Sequence, residues 1–309
     1  MSAPHTDEQQ ILDALRVHYR MAVERIEFLR AGGSRSYVVS AGDRRYLLKV
    51  INRAFLDTIR QSVDVLRYLA QHGFPAPRTL ETRDGQAILT LADGDPACAL
   101  IVYEFIDGIE PSVAERAVEI GELTGRLHAT MRGYSSPLPV RGKPFFIDRY
   151  IGILRAKRYP EAKLREYVAL GDTLWDKIRD LPYGFCHGDL HAGNLLSTAA
   201  DNLYILDFDT ACYAPRMFDV MVMCDTTNYF TLAPTAFDAA TRVYQQFLSG
   251  YARYSPLSDA EIGSFHEFVA VRHYQLQATI VEMHDPDCID ERFIDRQLDW
   301  LRSWRRHYS

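Results

Sequence analysis

The chain has 309 residues, of which 47% are hydrophobic and 25% are charged, a composition typical of a folded globular protein. Its formal net charge of −6 argues against a general nucleic-acid binder or a binder of anionic membranes. The longest uninterrupted apolar stretch, Ala97–Tyr103, is too short to span a bilayer. We therefore expect neither a nucleic acid nor a membrane as partner.

The N-terminus and the cysteines both indicate a cytoplasmic protein. The first ten residues are polar and acidic and lack the basic and apolar regions of a signal peptide. The cysteines are odd in number and form no C-x-x-C pair, which fits a reducing compartment and excludes a disulfide framework or a zinc ribbon. They are Cys98, Cys186, Cys212, Cys224 and Cys288.

The N-terminal part predicts a small β-rich lobe spanning 1–106. It begins with a helix, because Ile11 and Leu15 recur at helical spacing after Thr6 and Gln9, which resemble a capping box. Five short β-rich runs follow, separated by turn signals. They are Ile26–Leu29, Tyr37–Ser40, Tyr46–Ile51, Ala87–Leu91 and Leu100–Ile106. One helix interrupts them, with an apolar stripe of Ile59, Val63, Leu66 and Ala70.

After residue 106 the pattern predicts a helical lobe spanning 107–309. Apolar residues recur at helical spacing over 112–131, 147–157, 161–180, 234–252, 258–283 and 290–307. Ser258 and Glu261 fit a second capping box. The exception is 185–213, where two short apolar strands flank polar loops. Polar loops on a rigid scaffold commonly carry functional residues, so we expect the site in this segment.

Two motifs in that segment have the residue types that phosphoryl transfer needs. HGDLHAGN covers 187–194 and LDFD covers 206–209. The oxygens of Asn194 and Asp207 are ligands that suit Mg²⁺ carrying phosphates. Asp189, if kept off the metal, can accept the proton of an attacking hydroxyl.

Two other interpretations of the first motif remain open. His187, Asp189 and His191 alternate along the chain and would share one face of a strand, as in the metal cluster of a hydrolase. Alternatively, the motif is a turn whose polar side chains satisfy local backbone amides. The later Asp207 and Asp209 shift the balance toward a nucleotide-dependent kinase.

Together, HGDLHAGN and LDFD resemble the aminoglycoside phosphotransferase, choline kinase and homoserine kinase superfamily. The resemblance extends from about Ile26 to about Arg272. It implies an α+β, bilobal protein-kinase-like fold, with a five-stranded antiparallel sheet and one helix in the N-lobe and a mainly helical C-lobe. It also implies ATP and Mg²⁺ as cofactors, with Asp189 as the catalytic base and Asn194 and Asp207 as metal ligands.

The resemblance also implies roles for neighbouring residues. His187 and His191 would shape the loop around Asp189. Asp209 and Asp219 match further acids of the family, for which a structural role bracing the loop and a catalytic role are equally open.

The N-lobe contains a candidate phosphate-binding lysine. Lys49 is the one lysine in an alternating apolar strand, where its charge needs a partner. By resemblance it contacts the α- and β-phosphates of ATP, although an edge-strand lysine that prevents aggregation is the simpler alternative. Kinases orient this lysine with a helix Glu. Here Ser62 stands at that position, and we ask whether Asp64, two residues on, replaces it.

Two further segments are candidates for nucleotide contacts. A turn between the first two strands would let backbone amides approach phosphate, although a plain hairpin has the same composition. Its cofactor-binding candidates are Gly32, Gly33 and Ser34. The fifth strand ends at a segment resembling the kinase hinge, where the carbonyl of Glu104 and the amide of Ile106 would hold the adenine edge.

The acceptor is predicted to be a small molecule carrying a hydroxyl group. Gly188 precedes Asp189 where protein kinases have Arg, and no Ala-Pro-Glu follows. Residues 282–299 hold seven acids against two arginines, which would attract a cationic amine, or would simply form a solvated face. Five aromatic residues are candidates for a wall that would bind an ammonium, although we expect most of them to lie in the core. They are Trp175, Tyr229, Phe230, Tyr274 and Trp300.

We therefore expect a kinase of an amino alcohol or hydroxy amino acid, resembling homoserine kinase in layout. The basic C-terminal residues Arg305 and Arg306 argue against the kanamycin-type kinases, which end in an acidic, aromatic segment. An aminoglycoside O-phosphotransferase, a Ser/Thr protein kinase, a metal-dependent hydrolase and a non-catalytic nucleotide-binding module remain alternatives. A monomer and a homodimer are both compatible with the sequence.

Overall fold

The computed structural model describes residues 8–31, 34–52, 55–91, 98–230 and 234–308. The chain divides into two compact units. The first comprises Met1–Pro111 with Gly193–Thr210, and the second comprises Ser112–Ala192 with Ala211–Ser309. The predicted lobe boundary after residue 106 stays a prediction. Of the helices in the described ranges, none is both long and apolar enough to cross a membrane.

The first unit contains an antiparallel sheet whose strand order is β1-β2-β3-β6-β4, with β5 also paired to β6. Its strands are β1 (Arg25–Ala31), β2 (Ser34–Ala41), β3 (Arg44–Asn52), β4 (Thr79–Leu80), β5 (Leu89–Leu91) and β6 (Cys98–Glu104). The five predicted strands are present. The described residues form a sixth strand, β4. The sequence did not predict it, because a two-residue strand is too short to show alternation.

One face of this sheet packs on the first helix, α1 (Glu8–Tyr19). The core between them is made of alternate strand residues and one helix face, as strand and helix periodicity require. It includes Ile11, Leu15, Val39, Leu48, Val50, Leu100 and Val102. The second helix, α2 (Leu56–Gln71), buries Ile59, Val63 and Leu66 of the predicted stripe. The fourth residue of the stripe, Ala70, is exposed, and Leu69 is buried instead. Residue Thr6, part of the predicted first capping box, lies outside the described residues.

A second, three-stranded sheet completes the first unit. Its order is β10-β9-β7, built from β7 (Gly108–Ile109), β9 (Leu195–Thr198) and β10 (Leu203–Ile205). Asn194 immediately precedes β9, and Asp207 follows β10 by two residues. The backbone N–H of Leu206 donates to the Asn194 carbonyl at 2.8 Å. The antiparallel pairing of β9 and β10 therefore brings the two backbones together.

The second unit is mainly helical. Its helices are α3 (Ala117–Thr130), α4 (Arg149–Ala156), α5 (Glu161–Ile178), α6 (Met217–Cys224), α7 (Pro234–Tyr251), α8 (Asp259–Gly263), α9 (Phe265–His284) and α10 (Glu291–Tyr308). The capping box of Ser258 and Glu261 is confirmed, but the helix predicted over 258–283 is two helices. The Ser264 hydroxyl and amide both bond the Glu261 carbonyl, at 2.7 and 3.1 Å, which ends α8 early.

Helix α6 is absent from the sequence-based prediction. Its sequence, MFDVMVMC, is apolar on nearly every side and all but one of its eight residues are buried. A helix buried on all sides has no polar face and therefore no helical period. The one acid, Asp219, is fully buried.

Helices α3 and α7 approach each other through glycines. A Cβ atom built on Gly125 would lie 2.5 Å from the Tyr251 carbonyl oxygen. Gly121 faces the Phe247 carbonyl, and Gly250 faces the Val118 carbonyl, at still closer approach. Any larger side chain at these positions would push the helices apart, so glycine is required by close backbone approach.

A two-stranded antiparallel pair in the second unit leads into the polar loop. It consists of β8 (Tyr183–Cys186) and β11 (Cys212–Pro215), with Cys186 opposite Cys212. The two strands predicted over 185–213 are therefore four in the described chain, two in each unit. Strand β8 ends directly before His187, so the sheet fixes where the loop begins.

Candidate active site

The first unit places a buried lysine between two carboxylates. Lys49 lies on β3, and its side chain is only 8% exposed. Its Nζ donates to Asp207 Oδ1 at 2.8 Å and to Asp209 Oδ2 at 3.1 Å. The alternative of an edge-strand lysine does not apply, because β3 is paired on both sides, with β2 and β6.

The charges in this cluster shift one another's pKa values. Burial by itself lowers the pKa of Lys49, but Asp209 and Asp207 outweigh it and hold the pKa above its ordinary value. Burial raises the pKa of Asp207, yet the Lys49 charge brings it below its ordinary value. For Asp209, burial and the adjacent Asp207 charge outweigh Lys49, and the pKa is raised. The cluster is thus a charged lysine shared unequally by two acids.

Asp207 sits in an unusual backbone conformation. Its φ is +62°, in the left-handed region that only Gly, Asn and Asp visit readily. Arg30 Nη2 also approaches Asp207 Oδ2, at 3.6 Å. The sequence gives no sign of Arg30 as a site residue, because an exposed arginine near the end of a strand has no distinguishing pattern.

The helix α2 contributes no acid to Lys49 in the described structure. Asp64 is half exposed and pairs with Arg67, at 3.4 Å on the same helix. Ser62 is 1% exposed and lines a small cavity of about 60 Å³ together with Lys49, Asp207 and Asp209. The position of the expected helix Glu is therefore taken by a small hydroxyl, and Asp209 is the second acid.

The remaining nucleotide candidates lie elsewhere in the first unit. Ser34 is the first residue of β2, and Gly32 and Gly33 lie outside the described residues. Glu104 ends β6 and, with Ile106, lines a cavity of about 420 Å³. That volume lies within the range of small-molecule sites.

The second unit positions Asp189 through a buried acid. Asp219 on α6 accepts the backbone N–H of His187 at 2.6 Å and that of Gly188 at 3.0 Å. His128 Nε2 lies 3.1 Å from the same carboxylate, and its Nδ1 lies 2.6 Å from the Tyr251 hydroxyl. The sequence singled out Asp219 but not His128, which resembles any histidine in the last turn of a helix.

Asp189 itself is 39% exposed, and an arginine and a histidine lie beside it. Its Oδ1 lies 3.3 Å from Arg272 Nη2, and its Oδ2 lies 3.5 Å from His191 Nε2. Burial acts to raise the pKa of Asp189, but His191, Arg272 and His187 lower it below the ordinary value. The carboxylate is therefore ionised at neutral pH and able to accept a proton. The contact between Arg272 and Asp189 was not predicted from the sequence.

The other sequence candidates are distributed as follows. Within the described part of the chain, no group of three or more His, Cys, Asp and Glu side chains is arranged to hold a metal ion, so the hydrolase alternative gains no support. Of the aromatic candidates, Tyr274 and Trp300 are core residues, at 0% and 3% exposure. Phe230 is 57% exposed.

A model of the phosphotransferase enzyme family, also named APH, matches residues 25–257, about three quarters of the chain. The chain belongs to this family. It is therefore an enzyme, a kinase of small molecules, and the resemblance found in HGDLHAGN and LDFD is confirmed.

Curated relatives of this phosphotransferase span most of its length. An amicoumacin kinase of Bacillus subtilis (strain 168) is 24% identical over 97% of this chain and 91% of its own. A homoserine kinase of Gluconacetobacter diazotrophicus is 30% identical over 77% of this chain and 74% of its own.

Solved structures confirm the protein-kinase-like fold class. Amicoumacin kinase hAmiN in complex with AMP-PNP, Ca²⁺ and Ami superposes with a TM-score of 0.76, at 21% identity, over 98% of this chain and 94% of the other. A microcompartment-associated aminopropanol kinase superposes with a TM-score of 0.75, at 18% identity, over 96% and 95% of the two chains. At these identities the likeness concerns the fold.

Proposed function

We propose that this phosphotransferase transfers the γ-phosphoryl group of Mg²⁺-ATP to a hydroxyl of a small amine, either an amino alcohol or a hydroxy amino acid. The observation that carries the proposal is the buried Lys49 held between Asp207 and Asp209. A buried lysine with two acids is suited to receive polyphosphate, because phosphate and metal can exchange for its present partners without leaving a charge unpaired.

We place the nucleotide contacts in the first unit. Lys49 binds the α- and β-phosphates, and Ser34 at the start of β2 offers its backbone amide. Gly32 and Gly33, which the sequence suggests as further amide donors, lie outside the described residues. The cavity of about 420 Å³ beside Glu104 and Ile106 receives the adenine. Backbone groups there serve as donor and acceptor, so the side chains need not be of one type.

The donor chemistry of two residues fits Mg²⁺. Asn194 offers an amide oxygen and Asp207 a carboxylate, and the Asn194 backbone carbonyl accepts the N–H of Leu206, the residue directly before Asp207. Mg²⁺ commonly takes one or two protein oxygens and completes its shell with waters and substrate phosphates. When bound, it would neutralise charge on the phosphates during transfer.

Asp189 provides the proton acceptor. It takes the proton of the acceptor hydroxyl while the alcohol oxygen attacks the γ-phosphorus and the bond to the bridging oxygen of ADP breaks. The lowered pKa of Asp189 keeps it ionised at neutral pH, so it is available as a base at the start of each turnover. Asp219 holds the backbone from which it projects.

The relatives support the acceptor class. Homoserine kinase and aminopropanol kinase are named for substrates that carry both an amine and a hydroxyl. The amicoumacin kinase of Bacillus subtilis spans 97% of this chain, which favours an antibiotic O-phosphotransferase as the second candidate.

The test is ADP release with Mg²⁺-ATP across hydroxy amino acids, amino alcohols, amicoumacin and aminoglycosides, with the Asp207→Ala variant as the blank. We expect turnover above the blank with a hydroxy amino acid or an amino alcohol. Turnover with an antibiotic alone would replace the first candidate by the second. Turnover with neither group would refute both.

A further inference from the structure

Arg272 is held at a defined place beside Asp189 in the second unit. It lies on α9, and its side chain is 12% exposed. Its Nη1 donates to Gln275 Oε1 at 2.7 Å, and its guanidinium carbon lies 5.7 Å from the centre of the Phe218 ring. Arginine has five N–H donors, and in the described chain two of them meet an acceptor. The guanidinium therefore retains donors for a further anion.

The contact between Arg272 and Asp189 opposes the proposed chemistry. At 3.3 Å it is longer than the 2.7–2.9 Å of a strong charge-assisted hydrogen bond. The permanent positive charge nevertheless stabilises the ionised form of Asp189 and makes it a weaker base. An anion that bound Arg272 during turnover would offset this charge. The arrangement thus favours an acceptor that brings its own carboxylate.

Asp225 lies in the same unit, close enough for its charge to interact with that of Arg272. It follows α6 directly, and it accepts the Thr227 amide at 2.8 Å and the Tyr229 hydroxyl at 2.5 Å. Burial raises the pKa of Asp225 above its ordinary value, although these two hydrogen bonds and the Arg272 charge act to lower it. A carboxylate shielded from water is stabilised by a cation that binds beside it. An ammonium group is such a cation.

We propose that Arg272 and Asp225 form an acceptor subsite in which the guanidinium binds the carboxylate, and Asp225 the ammonium, of a hydroxy amino acid. This inference rests on the proposed function and selects one of its two acceptor classes. An amino alcohol would bring only an ammonium, which Arg272 repels. A hydroxy amino acid satisfies both charges, and the planar guanidinium matches a carboxylate with two parallel hydrogen bonds.

Three acceptors of matched length separate the two contacts. Homoserine carries both charges, 3-amino-1-propanol lacks the carboxylate, and 4-hydroxybutyrate lacks the ammonium. For the wild-type enzyme we expect homoserine to have the highest kcat/KM of the three. Arg272→Gln should lower kcat/KM for homoserine by about 10–100-fold, the usual effect of losing hydrogen bonds to a charged group. The same variant should raise kcat/KM for 3-amino-1-propanol, because the charge that repels its ammonium and weakens Asp189 as a base is gone. Arg242→Gln, which removes an exposed arginine of α7, is the matched control.

Asp225→Asn provides an independent readout should the Arg272 variant fail to fold. It should lower kcat/KM for homoserine but not for 4-hydroxybutyrate, which brings no ammonium for Asp225 to bind. Equal losses for homoserine and 3-amino-1-propanol in Arg272→Gln would overturn the subsite, because Arg272 would then act only through Asp189. A wild-type preference for 3-amino-1-propanol would overturn the subsite while the proposed function stands. No turnover with any small amine would refute the proposed function itself.

Discussion

The backbone N–H of His187 donates to Asp219 Oδ2 at 2.6 Å, and the next N–H, of Gly188, donates to Oδ1 of the same carboxylate. Helix α6 therefore fixes the two residues that precede Asp189. Gly188 has φ +84°, which a residue with a side chain adopts only with strain. The buried acid and the glycine together determine the direction in which the chain presents Asp189.

Replacing Asp219 tests this support. In Asp219→Ala, the N–H groups of the buried His187 and the partly buried Gly188 lose their acceptor, and His128 loses its carboxylate neighbour. Each unsatisfied buried group costs about 1–3 kcal/mol. We expect the free energy of unfolding to fall by roughly 2–5 kcal/mol, measured by urea denaturation, and kcat to fall with it. Asp238→Ala, on the exposed side of α7, is the control. An unchanged unfolding midpoint in Asp219→Ala would show that the loop does not depend on this acid.

Replacing the proposed base separates catalysis from nucleotide binding. Asp189→Asn keeps the size of the side chain but cannot accept a proton, so kcat should fall by about 10²–10⁴-fold. Affinity for Mg²⁺-ATP, measured by calorimetry, should stay the same. Asp176→Asn, an exposed acid of α5, should leave both quantities at the wild-type value. Normal turnover in Asp189→Asn would remove it from the mechanism.

The Lys49 cluster makes a prediction about stability. Lys49→Met leaves Asp207 and Asp209 close together without the shared cation, and we expect a loss on the order of 2 kcal/mol in unfolding free energy. Asp209→Asn added to Lys49→Met should restore part of it, because one of the two like charges is gone. Chemical denaturation of the wild type, both single variants and the double variant gives the coupling. Purely additive losses would contradict a shared interaction.

His273 predicts a pH dependence of stability. It is fully buried between Trp300 and Tyr229, and neither ring nitrogen meets a hydrogen-bond partner in the described ranges. Burial lowers the pKa of His273 in the folded protein to about 3. Below about pH 6.5 this imidazole therefore binds a proton in the unfolded chain but stays neutral in the folded chain. The contribution of neutral His273 to the free energy of unfolding is fully present above that pH. It falls by about 1.4 kcal/mol per pH unit as the pH decreases toward 3.

The measurement is urea unfolding at pH 7.5, 6.5 and 5.5 for the wild type, His273→Phe and the exposed control His284→Gln. The difference in unfolding free energy between the wild type and His273→Phe should change with pH. The corresponding difference between the wild type and His284→Gln should change far less. If the unfolding free energies of the wild type and His273→Phe changed with pH in parallel, His273 would bind its proton equally well in the folded and unfolded protein, and this prediction would be wrong.

Sequence reasoning reached the parts of this fold that have a period or a motif. The alternation around Lys49 and the stripe of α2 identified the sheet and its helix, and HGDLHAGN with LDFD identified the family. It could not find α6, whose apolar residues point in every direction, nor β4, whose two residues give no alternation. Pairing across long separations was equally hidden, as with Arg272 and Asp189, because no local pattern links residues 83 positions apart.

The sequence leaves open which acid pairs with Lys49. Asp64 is one candidate, since the helix after β3 is where kinases carry Glu, and a pair supplied from elsewhere is the other. In the structure Asp209 takes that place, and Asp64 pairs with Arg67. The choice depends on which face of α2 is buried, and Ser62 rather than Asp64 lies on that face. Burial, not distance along the chain, decides the ion pair.

The membership of Gly193–Thr210 in the first unit has a consequence for synthesis on the ribosome. Lys49 emerges 158 residues before Asp207. At the usual elongation rate of about 5–20 residues per second, that interval is roughly 8–30 s. Once Glu104 has emerged, the nascent first unit has all six strands of its sheet, but until residue 207 it lacks β9, β10 and the two acids that contact Lys49. A slower codon stretch between the two segments would lengthen the exposure of that incomplete unit to chaperones and proteases.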